Sequence, residues 1–73
     1  MAKKSSSAVY RVVDVIGTSP TSWEEAARNA VKTASKSLRE LRIAEVAKLD
    51  VKVDNGKVTA FRTRLSLSFK YDA

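Results

Sequence analysis

The sequence predicts an α+β chain of order β-α-β-β. Three observations carry that prediction: a β-branched run at residues 8–16, one amphipathic stretch opened by a capping motif, and an Asn-Gly pair between two alternating runs. At 73 residues the chain has room for one small domain.

The first strand is AVYRVVDVI, residues 8–16, whose valines and isoleucine favour a pleated backbone; Gly17 is read as its end. Ser19-Pro20 then marks a turn, and Ser22 with Glu25 forms an S-x-x-E capping box, so a helix is expected to start at Trp23. Trp23, Ala26, Ala27, Ala30, Val31, Ala34, Leu38 and Leu41 recur at the helical period and make one apolar stripe. The opposite side carries Glu25, Arg28, Lys32, Lys36 and Arg39. On this reading the helix runs on to about Arg42, with Glu24 and Glu25 in its first turn and Arg39 and Arg42 in its last, as the helix dipole favours. The alanines keep the buried face thin, so a sheet can lie close.

From Ile43 to Val53 and again from Lys57 to Tyr71 the pattern is β. Asn55-Gly56 between the two runs is a hairpin signal, because a type I′ turn needs positive φ at both central residues. Pairing Asp54 with Lys57 puts the strands in register. One face then carries Ala44, Val46, Phe61, Thr63, Leu65, Leu67 and Phe69 and is expected to cover the helix. The other carries Ile43, Glu45, Ala47, Leu49, Val51 and Val53, with Val58, Ala60, Arg62, Arg64, Ser66 and Ser68. That second face is half apolar with no helix left to cover it, so it is expected to meet other copies of the chain.

Composition excludes much chemistry. The chain has no His and no Cys, so it cannot build a Ser-His-Asp or Cys-His nucleophile, a thiol redox centre or an ordinary zinc site. Its two glycines, Gly17 and Gly56, lie too far apart for a phosphate loop. An enzyme is therefore not expected. The net charge of +6 comes from 14 basic residues interspersed with 8 acidic ones, a spacing that suits a soluble surface and argues against a nucleic-acid partner. No window approaches the roughly 20 apolar residues of a membrane span. The lack of cysteine fits a reducing compartment, and a cytoplasmic location is expected. Residues 1–7, MAKKSSS, are expected to be a disordered basic tail, with residues 8–73 forming the single domain.

The stretch VYRVVDVIGTSPTSWEEAARNAVKTASKSLRELRIAEV resembles the dodecin family, through G-T-S-P-T-S-W-E-x-A at the helix entrance and x-A-E-V at the next strand. With the NGK hairpin and the closing S-F-K, the resemblance covers about residues 9 to 71. It implies a three-stranded antiparallel sheet wrapping one helix, and twelve copies forming a hollow shell. It also implies ligand binding without catalysis, most family members being flavin binders at subunit contacts. The family's flavin site uses an aromatic residue, usually Trp, at the start of the second strand and a Gln on the third. Those positions are Ile43 and Arg62 here. Ile offers no ring for stacking, and Arg only donates where Gln both donates and accepts. Weak or absent flavin binding is the expectation.

A subset of dodecin-like proteins lacks the stacking aromatic and is described as binding calcium or other small ligands. The start VYRVVDVIGTSPTSWEEAA looks like that subset. Calcium takes six to eight oxygens, and no EF-hand loop is present to supply them. Asp14 is the leading metal candidate, because it interrupts an apolar strand just before a loop in which Thr18, Ser19 and Thr21 bring oxygens. The bland alternative pairs Asp14 with Arg62 or Arg64, or leaves it facing solvent. Glu45 is the second acid of interest, placed beside Arg64 and Ser66, where a salt bridge between copies is a more natural role than that of a metal ligand. Trp23 reads as an anchor of the helix entrance rather than a ligand stack.

Overall fold

The computed structural model describes residues 8–71. The expected tail at residues 1–7 lies outside the described residues. The elements are β1 (Val9–Ser19), α1 (Trp23–Ala34), β2 (Leu41–Asp54) and β3 (Lys57–Tyr71). They form one three-stranded antiparallel sheet of order β1-β3-β2, so the last strand is the central one. α1 lies across one face, packing mainly on β1 and β3 and barely reaching β2.

The β3 pattern is a strict alternation from Phe61 onward. Thr63, Leu65 and Leu67 point to the helix and are almost fully buried. They pack on Ala26, Ala30 and Ala34, which line the helix stripe. Val15, Ala27, Val31, Leu38 and Leu41 close the edges of this core. The small stripe lets helix and sheet approach closely, and Gly17 marks the closest point. A Cβ there would lie 2.0 Å from the Ala26 carbonyl oxygen and 2.8 Å from the Ala30 Cβ. Gly17 is thus not the end of β1, as the sequence suggests, but an interior position kept bare for the helix.

Ser22 caps α1 as expected, its hydroxyl accepting from the Glu25 N–H at 3.0 Å. The reciprocal half of the capping box is replaced. The Glu25 carboxylate accepts instead from the Ser19 hydroxyl at 2.9 Å, and that hydroxyl oxygen accepts from the Thr21 N–H, also at 2.9 Å. The buried Ser19 thereby ties the end of β1 to the first turn of the helix.

The helix stops two turns earlier than its periodicity suggests, at Ala34 rather than near Arg42. The chain tightens through Ser35, Lys36 and Ser37, where N–H groups reach back to the carbonyls of Val31, Thr33 and Ala34. It then turns at Glu40, whose φ of 55° lies in the left-handed region. Serines favour this departure because their side chains compete with the helical ladder. Leu38 still joins the core from the connecting segment, and Leu41 opens β2 opposite Phe69. Arg39 and Arg42, expected in the last helical turn, lie beyond the helix, and Lys32 takes that place.

Asn55 and Gly56 have φ values of 51° and 74°, as the hairpin turn requires. The register beyond the turn departs from uniform pairing at three places. Thr59 is an extra residue on β3, and Ala47 and Arg42 are extra residues on β2. Between Thr59 and Ala47 the pairing slips by one, so Leu49 pairs with Thr63 and Val51 with Phe61. Leu49 and Val51 accordingly lie on the helix side, which corrects their expected place on the outer face. Ile43 and Glu45, beyond the Ala47 bulge, keep the outer-face position expected of them.

The molecule is long and thin, 57 × 20 × 17 Å, with a radius of gyration of 15.2 Å. A compact chain of this length has one of about 11 Å. Val9, Val12, Ile16, Ile43, Val46, Leu49, Val53 and Val58 are each about half exposed or more. The buried apolar set is three alanines and two leucines among the described residues, a small core for a domain without disulfides.

Candidate functional site

The outer face of the sheet is built in cross-strand rows, with β3 supplying the middle residue of each. From one end they are Val12–Ser68–Ile43, Asp14–Ser66–Glu45, Ile16–Arg64–Lys48 and Thr18–Arg62–Asp50. The alternation that buries Thr63, Leu65 and Leu67 under the helix necessarily turns Arg62, Arg64, Ser66 and Ser68 outward.

Asp14 sits in the second row and accepts a hydrogen bond from the Ser66 hydroxyl at 2.8 Å. Its partner is this serine and not an arginine. Glu45 flanks the same serine from the other side, so Ser66 separates two carboxylates on one surface. Thr21 is not part of that cluster. It lies beyond the end of β1, and the five residues from Asp14 to Ser19 alone span about 16 Å of strand.

Arg62 is held by Asp50 in a two-pronged ion pair, Nε to Oδ1 at 2.8 Å and Nη2 to Oδ2 at 3.0 Å. The Arg62 guanidinium keeps the Asp50 carboxyl below the usual carboxylate range, chiefly through that hydrogen bond, and Asp50 in turn raises Arg62. Ile43 and Arg62 share the outer face but lie six residues apart along β3, since Ile43 pairs with Ser68; that is about 20 Å. One chain therefore does not bring those two positions together.

Trp23 anchors the helix entrance. Its indole N–H donates to the Asp50 carbonyl at 3.0 Å, and its ring meets Phe61 edge-on, centroids 5.1 Å apart at 81°. Thr63 adds a hydrogen bond from its hydroxyl to the Trp23 carbonyl. Beside this anchor an apolar groove of about 300 Å³ opens between α1 and β2, lined by Trp23, Ala27, Val46, Leu49 and Thr63 among others. It exists because the bulged β2 overhangs the helix without packing on it.

Sequence reasoning did not find Asp50, and it set Ser66 beside Glu45 without joining it to Asp14. Uniform pairing places Asp50 opposite Phe61 on the helix side, and only the Thr59 bulge brings it to Arg62. A serine on the polar half of a strand gives no signal of its own; its role follows from the acids on both neighbouring strands. Among the described residues no group of three or more carboxylates converges.

A single helix clasped on one side of a three-stranded antiparallel sheet, with the other side charged, partly apolar and uncovered, defines a small β-α-β-β protein with one open sheet face. The dodecin family model matches residues 9–72, and this chain belongs to the dodecin family. The calcium dodecin of Mycobacterium tuberculosis is 52% identical over 63 residues, covering 85% of this chain and 87% of that protein. Its crystal structure, described as that of a calcium-chelating antigen with a calcium-binding site, superposes with a TM-score of 0.78 at 49% identity, over 88% of this chain and 91% of that one. The dodecin of Streptomyces coelicolor superposes with a TM-score of 0.86 at 38% identity, over 93% of this chain and 97% of that one.

Proposed function

We propose that this chain is the subunit of a non-enzymatic homo-oligomeric shell, a dodecamer as in the family it resembles, that binds and sequesters a small ligand or cation. Calcium is the leading ligand. The observation that carries this reading is the 52% identity to a calcium dodecin. Two features of the chain support it: the small core with its exposed apolar residues, which favours association, and an aliphatic Ile43 where the flavin binders of the family stack an aromatic ring. Without His or Cys, the side chains offer no familiar catalytic constellation.

Calcium needs about six to eight oxygens, more than the described residues of one chain gather. In this reading Asp14 contributes a carboxylate beside the Ser66 hydroxyl, and Glu45 a second one across the same row. The remaining oxygens come from water, backbone carbonyls or other copies, and Thr21 serves as a ligand only from a neighbouring copy. A cytoplasmic location accords with the cysteine-free composition, and among the described residues no helix is long and apolar enough to cross a membrane.

The test is isothermal titration of the metal-stripped protein with calcium, in parallel with riboflavin. Saturable heat with calcium, lost in Asp14→Asn, is the expected result. Tight riboflavin binding without calcium heat would overturn it and restore the flavin role despite Ile43 and Arg62.

A further inference from the structure

The helix side of the sheet also leaves apolar surface uncovered. The groove beside Trp23 continues past Ala27 and Val46 into a second hollow of about 350 Å³, over Val31, Ala44 and Leu65. The two make one channel along about 12 Å of α1, from Trp23 to Val31. β2 overhangs it without packing on the helix, so Val46 and Leu49 stay half exposed. The floor offers no free side-chain donor, because the Trp23 indole N–H and the Thr63 hydroxyl already donate to the carbonyls of Asp50 and Trp23. Charge is unevenly placed on the rim. Arg28 and Lys32, one turn apart on α1, border the second hollow, while Glu24 borders the first. Among the described residues, none of these three side chains forms an ion pair.

We propose that this channel binds an amphiphilic anion, a straight hydrocarbon chain that ends in a carboxylate. The chain lies on Ala27, Val46 and Leu49 with its tail toward Trp23, and the carboxylate sits at the other end beside Arg28 and Lys32. The tail binds by removing apolar surface from water, on a floor that has no polar group to lose hydration. The head stays at the surface, where two cations hold it without the cost of burying a charge. Charge also fixes the direction. Reversed, the head would meet the Glu24 carboxylate and leave both cations without a counter-charge. The site lies across the sheet from Asp14, so it goes beyond the cation reading above and stands whether or not calcium binds.

The experiment titrates the assembled protein with decanoate, below its micelle-forming concentration, and follows the emission of Trp23, the one tryptophan of the chain. A saturable change is expected, with affinity falling about four-fold for each methylene removed on going from decanoate to hexanoate. Arg28→Gln with Lys32→Gln should weaken decanoate about five-fold or more, and Leu49→Asp, which sets a carboxylate against the tail, should abolish saturation. All these side chains are exposed, and circular dichroism checks that each variant keeps the fold. No response from the wild-type particle would overturn the site, and would mean that another copy fills the channel. Unchanged affinity without the two cations would overturn the carboxylate assignment. Unchanged binding in Leu49→Asp would overturn the channel as the place of binding.

Discussion

The two faces of the sheet share one central strand and differ in everything else. On the helix side, Thr63, Leu65 and Leu67 are sealed by alanines and by the bare backbone of Gly17. On the outer side, Arg62, Arg64, Ser66 and Ser68 meet charged and apolar neighbours in the open. The comparison teaches that this chain concentrates its own stability in a narrow seam, about one helix wide. The rest of its apolar surface adds little to that core and stays exposed.

The largest effect should come from filling that seam. Gly17→Val would drive a side chain into the Ala26 carbonyl, and a helix backbone has no rotamer by which to yield. Overpacking usually costs about 1–3 kcal/mol, and this contact belongs at or beyond the upper end. Loss of the folded circular dichroism signal is the expected outcome; a folded, unshifted variant would show that helix and sheet are not that close. Next in size is Leu67→Ala, which leaves a cavity under Ala30 and Ala34 and should cost about 2–5 kcal/mol in denaturant unfolding. The same change at the exposed Ile43 should cost far less, and near-equal losses would erase the distinction between the faces.

Trp23→Phe keeps an aromatic ring against Phe61 and removes the hydrogen bond to the Asp50 carbonyl. About 1 kcal/mol is expected, read as a shift of the unfolding midpoint. The smallest effect belongs to the outer ion pair. Asp50 is held below the ordinary carboxylate range by Arg62, so its contribution to stability is present above the unfolded-state pKa and fades as pH falls through the lower folded-state value. Both groups are solvent-exposed, which keeps that contribution small. Asp50→Asn should leave the melting temperature at neutral pH almost unchanged and flatten its fall in acid; a large neutral-pH loss would mean that the outer face stabilises the single chain after all.

The parts of the fold legible in the sequence were those encoded by local chemistry. Ser22 caps the helix because its hydroxyl sits one turn before the Glu25 N–H, and Asn55-Gly56 turns the hairpin because both residues tolerate positive φ. The end of the helix was not legible in that way. Leu38 and Leu41 continue the helical period, yet Leu41 belongs to a strand and pairs with Phe69, where cross-strand pairing outweighs a propensity already weakened at Ser35 and Ser37. The candidate site was legible in half. Asp14, Ile43, Glu45 and Arg62 all lie on the outer face, but Asp50 and Ser66, the groups that hold Arg62 and Asp14, come into view only with the register.

By itself, the sequence determined the order of elements, the helix start, the hairpin and the absence of imidazole and thiol chemistry, because each follows from residue type or from neighbours within a turn. The tertiary structure alone decided which residues share a row, because bulges at Thr59 and Ala47 shift the pairing by one and a strand presents the opposite face at every step. That one-residue shift brings Asp50 to Arg62, turns Leu49 and Val51 toward the helix and leaves Lys48 facing Arg64 across the strands. No periodicity announces it, since the cost of a bulge is settled by packing between strands that lie far apart along the chain.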